Sequence, residues 1–198
     1  MARSLHYKIT KRLFDIALAS FLILFLSPFF LLLLIPQLLF IGLPLFFIQE
    51  RPGYKCKLFK IIKLRTMKPG FSDKERLTSW GQFLRSTSLD ELPELINVIK
   101  GDMSFVGPRP LLVEYLTRYS YNELKRHNVP PGITGWAQVK SRNDTTWKQR
   151  FKDDLWYVDN GSFLLDLKIL AMTFFKVLKR EGISQKGQAT MEEFKGNS

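Results

Sequence analysis

At 198 residues the chain is long enough for one domain with a modest core and too short for a second large one. With 30 Lys and Arg against 18 Asp and Glu, its net charge of +12 calls for an anionic partner: nucleic acid, an acidic lipid surface or a phosphorylated substrate. Cys56 is the only cysteine, which excludes an internal disulfide, and with only His6 and His127 there is no zinc-type Cys/His cluster, so any metal would be oxygen-bound.

Residues 16–49, between Asp15 and Glu50, carry no charged side chain and are mostly Leu, Ile and Phe, a membrane-inserting composition. A straight helix of that length would reach on the order of 50 Å against a hydrocarbon core of ~30 Å, so the segment must tilt or bend. Ser27-Pro28 falls near its middle, and Pro36 and Pro44 follow. Arg3, Lys8, Lys11 and Arg12 precede it and Arg51, Lys55 and Lys57 come after. By the positive-inside rule both ends belong on the cytoplasmic side, which predicts a helix that enters and returns. A single tilted span is the alternative.

Gln49 to Tyr54 reads as a turn, and Leu58 to Arg65 as a strand with Lys63 and Arg65 on one face, where both can point at phosphate. Residues 68–80 read as a surface loop. Residues 86–110 are the most informative stretch. Pro93 belongs in the first turn of a helix with Leu92, Leu95, Ile96 and Ile99 on its apolar face, which places Asp90 and Glu91 at the helix N-terminus. Two adjacent carboxylates there can bind a divalent cation beside unpaired backbone N–H groups. The plain alternative is that Ser88 and Glu91 form a capping box. The helix stops at Gly101. Gly107-Pro108-Arg109-Pro110 then holds one guanidinium between two stiff residues, so the stretch reads as a diphosphate site.

Leu111 to Arg126 reads as an amphipathic helix, Pro130 to Val139 as a rigid turn leading into an apolar stretch, and Ser162 to Arg180 as a basic amphipathic helix capped by Ser162. That last helix is too charged to span and can lie in an anionic interface or pack on the domain. Trp136, Trp147 and Trp156 can sit at headgroup depth or in the core. Residues 186–198 are expected to be a mobile tail.

The run Ser88-Leu89-Asp90-Glu91-Leu92-Pro93, followed by Asn97-Val98-x-Lys100-Gly101-Asp102-Met103-Ser104-Phe105-Val106-Gly107-Pro108-Arg109-Pro110, closely resembles the signature of the bacterial monotopic phosphoglycosyl transferases. Lys63-Leu64-Arg65-Thr66-Met67, Pro131-Gly132-Ile133-Thr134-Gly135-Trp136-Ala137-Gln138-Val139 and Arg142-Asn143 match further family segments, although Lys140 and Ser141 stand where that family usually has Asn and Gly. Asp154 stands at a family aspartate, whereas Lys152 replaces a common acid.

The resemblance implies an α/β protein: a small mixed helical domain with short strands, amphipathic interfacial helices and an N-terminal re-entrant membrane helix kinked at Ser27-Pro28. Residues 1–50 would be the membrane element and 51–185 the catalytic domain, on the cytoplasmic face of the bacterial inner membrane. It further implies transfer of a sugar-1-phosphate from a UDP-sugar to polyprenol phosphate. Asp90 would form a covalent phosphosugar ester with Mg²⁺ bound by Asp90 and Glu91. Lys63, Arg65, Arg109 and Arg142 would neutralise the diphosphate, and Asp154 would contact substrate. Downstream membrane glycosyltransferases would be further partners and nucleic acid would not. The Leu111-Leu112-Val113-Glu114-Tyr115 run resembles members acting on N-acetylated amino sugars. The competing class is a non-catalytic membrane-anchored basic protein that binds anionic lipid or nucleic acid.

Overall fold

In the computed structural model, which describes residues 5–70, 76–140, 146–179 and 193–196, the apolar segment forms one long helix, α1 (Leu5–Phe40). Pro28 lies inside it, so the Leu24 carbonyl loses the N–H it would accept from that position. The Ser27 hydroxyl donates to that carbonyl at 2.9 Å and replaces the missing donor.

The buried residues of α1 lie near its two ends, Lys11, Asp15 and Ala19 toward one and Leu33 and Gln37 toward the other. At the first end Lys11 Nζ donates to Asp166 Oδ2 at 2.8 Å, and Asp15 Oδ1 accepts from the Phe105 N–H at 3.3 Å. At the second, Gln37 Nε2 donates to the carbonyls of Leu45 (3.1 Å) and Arg65 (2.7 Å), while its Oε1 accepts from Trp80 Nε1 at 2.9 Å. Leu24, Phe25, Leu31 and Leu32 between them are exposed. Buried polar bonds therefore fasten both ends of α1 to the rest of the protein, and its apolar middle faces outward.

After a turn at Gly42, β1 (Phe46–Pro52) and β2 (Leu58–Leu64) form an antiparallel hairpin, with Phe46 opposite Leu64 and Pro52 opposite Leu58. The hairpin thus starts at Phe46, within the stretch before residue 51. Next comes α2 (Ser79–Ser86), whose N-cap Thr78 accepts from the Gly81 N–H at 3.0 Å. A Cβ on Gly81 would sit 1.9 Å from the Thr66 carbonyl, so only glycine lets α2 lie against the exit of β2.

In α3 (Glu94–Lys100) the buried side chains are Glu94, Leu95, Asn97 and Val98. This corrects the expected apolar face, because Ile96 and Ile99 are 44% and 38% exposed. Asn97 turns inward instead: its amide donates to the Lys60 carbonyl at 2.8 Å and accepts from the Ile62 N–H at 3.3 Å, joining α3 to β2. The helix ends as expected at Gly101, with φ +89°. Arg12 of α1 donates to the carbonyls of Val98 and Ile99 at 2.6 and 2.7 Å, where the last turn of a helix lacks donors.

Strand β3 (Ser104–Val106) pairs in parallel with β4 (Gly132–Thr134). Their glycines bring the backbones together so closely that a Cβ on Gly132 would lie 2.1 Å from the Gly107 nitrogen. Between these strands the expected helix over 111–126 is broken into a 3-10 turn at Val113–Thr117, α4 (Tyr121–Leu124) and a second 3-10 turn at Lys125–Asn128. Ser120 causes the break. Its hydroxyl accepts from the Glu123 N–H while the Glu123 carboxylate accepts from the Ser120 N–H, a capping box that starts a new helix.

The remaining helices are α5 (Trp136–Lys140), α6 (Trp147–Asn160) and α7 (Phe163–Lys179). Ser162 accepts from the Leu165 N–H at 3.3 Å, the cap the sequence predicts. On α7, Ile169 and Asp166 are buried, and Leu164, Phe174, Phe175 and Leu178 are exposed. Trp147 packs beside a buried aromatic cluster, whereas Trp136 stacks on the partly exposed Trp156 at 4.9 Å.

Two clusters form the core. The larger unites Ala19 of α1 with Ile61, Val98, Val106, Tyr157 and Ile169, and the smaller is Tyr115, Tyr119, Phe151 and Phe194. Phe194 is 3% exposed and lies 5.0 Å from the Phe151 ring, so Glu193–Gly196 depart from the expected mobile tail. Burial of one aromatic ring is sufficient to anchor so short a segment.

Gln37 lies in the uncharged part of α1, and a Gln37→Leu exchange would leave the Trp80 N–H and two carbonyls without their partner. The expected result is a loss of about 2 kcal/mol of stability, seen as a lower unfolding temperature in detergent. An unchanged unfolding temperature would show that these bonds do not hold the second end of α1.

Candidate functional site

Three segments converge at the C-terminal end of β2. Thr87 ends α2, and Ser88 then adopts a left-handed conformation (φ 56°) that turns the chain into a 3-10 turn at Leu89–Glu91, with Pro93 capping α3. Ser88 makes no side-chain capping bond, so Glu91 is not held in a capping box. Its Oε1 instead accepts from Lys63 Nζ at 2.6 Å and from Arg109 Nη2 at 2.7 Å. Lys63 also reaches Glu94 Oε1 at 2.8 Å. One carboxylate thus ties together β2, the 3-10 turn and the Gly-Pro-Arg-Pro segment.

The charges divide the acids into different states. Burial alone would raise the Glu91 carboxyl, but the cations of Arg109 and Lys63 outweigh it and hold the group down at about 2. Asp90 is raised to about 6, first by burial and then by the Glu91 charge. Among the described residues no ion pair forms to Asp90, although Lys63, Arg109 and Arg85 act on it electrostatically. Glu94, 1% exposed, is raised to about 7 by burial and by Glu91. The result is a free carboxylate beside two cations whose charge a neighbouring carboxylate only partly cancels. A group of this kind can attack an electrophile that is itself an anion.

Among the described residues no group of three or more His, Cys, Asp and Glu is arranged to hold a metal by itself. Glu91 Oε1 is already engaged by two cations, so Asp90 and the second Glu91 oxygen would be the protein donors to a metal. A magnesium ion suits such a site, because it is commonly bound by one or two carboxylates together with substrate phosphate oxygens.

Residues 6–180 match the family model described as bacterial sugar transferase. The chain belongs to the bacterial sugar transferase family. Among relatives of this sugar transferase family member, the protein named "Uncharacterized sugar transferase EpsL" of Bacillus subtilis is 49% identical over 196 residues, covering 96% of this chain and 97% of that protein. The UDP-glucose:undecaprenyl-phosphate glucose-1-phosphate transferase of Escherichia coli is 40% identical, over 85% of this chain and 40% of its own. The undecaprenyl-phosphate galactose phosphotransferase of Salmonella typhimurium is 36% identical, over 87% and 41%. The chain spans nearly all of the first relative and about two fifths of the other two.

The fold of this bacterial sugar transferase brings together Asp90, Glu91, Lys63 and Arg109 from the residues the sequence singles out. Arg65 is not among them. Strand β2 ends at Leu64, so alternation stops there, and the Arg65 guanidinium donates to the Ile41 carbonyl at 2.9 Å behind the hairpin. Asp154 is engaged by a cation of the protein. It is buried and accepts from Arg126 Nη2 at 2.7 Å and Nε at 3.1 Å, and Arg126 Nη2 donates on to the Arg109 carbonyl at 2.8 Å. Asp154 therefore positions Arg109 through Arg126. Arg142 and its neighbour Asn143 lie outside the described residues.

Sequence reasoning missed Glu94, Arg85 and Arg126. Glu94 stands three residues after Glu91, the spacing of one helical turn, and could have been found from it. Arg85 bonds Thr66 Oγ1 at 2.9 Å from α2, and Arg126 comes from a segment read as one amphipathic helix; neither carries a local signal.

Because Glu94 binds its proton more tightly folded than unfolded, its contribution to stability falls as pH rises from the usual carboxyl range to about 7. Glu94→Gln removes that titration. The stability of the variant relative to wild type should therefore grow between pH 5 and pH 8, by on the order of 2 kcal/mol. Parallel unfolding curves at the two pH values would refute this.

Proposed function

We propose that this protein is a phosphoglycosyl transferase that moves a sugar-1-phosphate from a UDP-sugar to polyprenol phosphate through a phosphosugar ester on Asp90. The observation that carries the reading is the unpaired, partly protected Asp90 carboxylate set against Lys63 and Arg109. A carboxylate oxygen of Asp90 attacks the sugar-bearing phosphorus, and the bond from that phosphorus to the bridging oxygen breaks. UMP leaves with the oxygen. A phosphate oxygen of polyprenol phosphate then attacks the same phosphorus, the bond to Asp90 breaks, and the carboxylate is restored as polyprenyl diphosphate-sugar forms. Two successive displacements let one small site serve a soluble and a lipid substrate in turn.

The residues have separate tasks. Glu91 fixes Lys63 and Arg109 in place, and these cations balance the charge on the phosphoryl group in transfer. Asp154 and Arg126 hold the backbone of Arg109. Mg²⁺, held by Asp90, the second Glu91 oxygen and the donor phosphates, would supply further neutralisation of the diphosphate. Arg142 remains a candidate phosphate contact on the family resemblance alone. The Leu111–Tyr115 run points to an N-acetylated amino sugar, while two relatives carry glucose and galactose in their names, so all three donors belong in the test.

The setting proposed for this reaction is the cytoplasmic face of the bacterial inner membrane, with α1 entering the bilayer and returning, and with downstream membrane glycosyltransferases taking up the product. Three features support it: the uncharged core of α1, the Ser27-Pro28 substitution of one helical donor by another, and buried polar bonds fastening both ends of α1 to the same domain. A helix spanning the bilayer would carry one of those ends to the opposite surface. With Cys56→Ser as background, single cysteines at His6 and Gly42 should both react with a membrane-impermeant maleimide only from the cytoplasmic side. Labelling of one from the outside would mean a spanning helix.

The decisive chemistry test is intact mass spectrometry of detergent-purified protein with Mg²⁺ and UDP-glucose, UDP-galactose or a UDP-N-acetylated amino sugar, without polyprenol phosphate. Wild type should gain one phosphosugar and release stoichiometric UMP. Asp90→Asn should gain nothing. UMP release that appears only once polyprenol phosphate is added would replace the ester with direct transfer, and no turnover with any donor would favour the basic binding protein.

A further inference from the structure

Helix α7 ends at Lys179, yet the chain beyond it returns to the domain, where Glu193–Gly196 lie against the smaller aromatic cluster. Phe194 is buried, and its ring meets those of Phe151 at 5.0 Å, Tyr115 and Trp147 at 5.6 Å and Tyr119 at 5.8 Å. Its N–H donates to Tyr115 Oη at 3.1 Å, and Arg118 Nη1 donates at 2.6 Å to both its carbonyl and Glu193 Oε1. A segment without secondary structure is thus seated by one ring and by bonds to its own backbone.

The consequence lies in what those rings enclose. Tyr119 and Phe151 both touch Phe194, and the Arg126 guanidinium lies 5.9 Å from the Tyr119 centroid and 5.8 Å from the Phe151 centroid. Arg126 Nη2 in turn donates to Asp154 Oδ2 and to the Arg109 carbonyl. Phe151 and Asp154 stand three residues apart on α6, so one turn of that helix carries both a wall of the enclosure and the carboxylate that holds Arg126. Packed contacts therefore run without a gap from Phe194 through two rings and Arg126 to the backbone of Arg109. An ion pair is stronger where water is kept out, and removing a buried ring opens a cavity that its neighbours fill only in part.

We propose that Phe194 is a positioning residue for Arg109: its ring closes the aromatic enclosure that fixes Arg126, and Arg126 holds the Arg109 backbone. The effect on catalysis rests on the transferase reading, whereas the enclosure can be measured without turnover. Loss of the ring leaves every charge of the site in place and loosens only where Arg109 is held, so the rate at saturating donor suffers.

Phe194→Ala, Phe194→Leu and Ile169→Val are compared with wild type as full chains in detergent, below their unfolding temperatures. Phenylglyoxal, an arginine reagent that is itself a phenyl ring bearing a dicarbonyl, has the size to enter the space the Phe194 ring vacates. With modification located by peptide mass spectrometry, Arg126 should react at least ~10-fold faster in Phe194→Ala than in wild type and at an intermediate rate in Phe194→Leu. Ile169→Val, which loosens the larger cluster instead, should leave Arg126 as protected as in wild type. Phosphosugar adduct formation at saturating donor should slow about 10-fold in Phe194→Ala. Adding Phe194→Ala to Asp154→Asn should slow it far less, because both act through Arg126, whereas a merely destabilising change would multiply. Unchanged Arg126 labelling in a folded Phe194 variant overturns the proposal, as do multiplying effects of the two substitutions. Should the alanine variant not fold, the same labelling of Phe194→Leu decides. If wild type forms no adduct with any donor, the transferase reading fails, and Arg126 labelling still decides whether Phe194 closes the enclosure.

Discussion

The Glu91 carboxylate is the constraint on which the site depends. Its Oε1 accepts from Lys63 and Arg109 together, so a single oxygen sets the separation of β2 from the Gly-Pro-Arg-Pro segment. Everything near it is adjusted to keep that arrangement. Ser88 takes a left-handed backbone so that the 3-10 turn presents Glu91 toward the two cations, and Gly107 and Gly132 let β3 and β4 meet closely enough to deliver Arg109. Non-glycine residues in the left-handed region are uncommon, and their appearance just before a reactive side chain is a recognisable pattern of local strain held by its surroundings.

The same constraint explains why neighbouring carboxylates behave differently. Glu91 is saturated with positive charge and stays ionised, whereas Asp90 and Glu94 are made less acidic first by burial and then by its negative charge. Adjacent acids are thereby sorted into a fixed counter-ion, a group whose acidity is shifted toward neutrality and a buried group that shares Lys63. The pattern resembles other sites where environment pushes like groups apart in acidity.

Much of this was legible in the residues. Asp90, Glu91 and Arg109 stand in a stretch whose prolines and glycines fix the backbone locally, and Lys63 follows from strand alternation. What the residues did not announce depended on tertiary context. Alternation cannot say that β2 ends one residue before Arg65, where Gln37 of a distant helix takes its carbonyl. Apolar spacing put Ile96 and Ile99 inside, but Asn97 binding the backbone of β2 rotated α3 the other way. The pairing of Asp154 with Arg126 joins residues 28 apart, and nothing local announces it. Gln37 was overlooked although it is the single side-chain amide of α1, a position where a polar group must find partners or be costly.

The bonds at the first end of α1 bear on how the protein is made. Lys11 finds Asp166 only after 155 further residues, and Asp15 finds the Phe105 N–H after 90. At bacterial synthesis rates of roughly 5–20 residues per second, Lys11 waits on the order of 10–30 s for its partner. In that interval α1 can already be seated in lipid, with Lys11 and Asp15 one helical turn apart and able to neutralise each other at the surface. Translation would thus deliver the first helix well before the end of α3, whose Val98 and Ile99 carbonyls Arg12 later caps, opposite the end at which Asp90 and Glu91 stand.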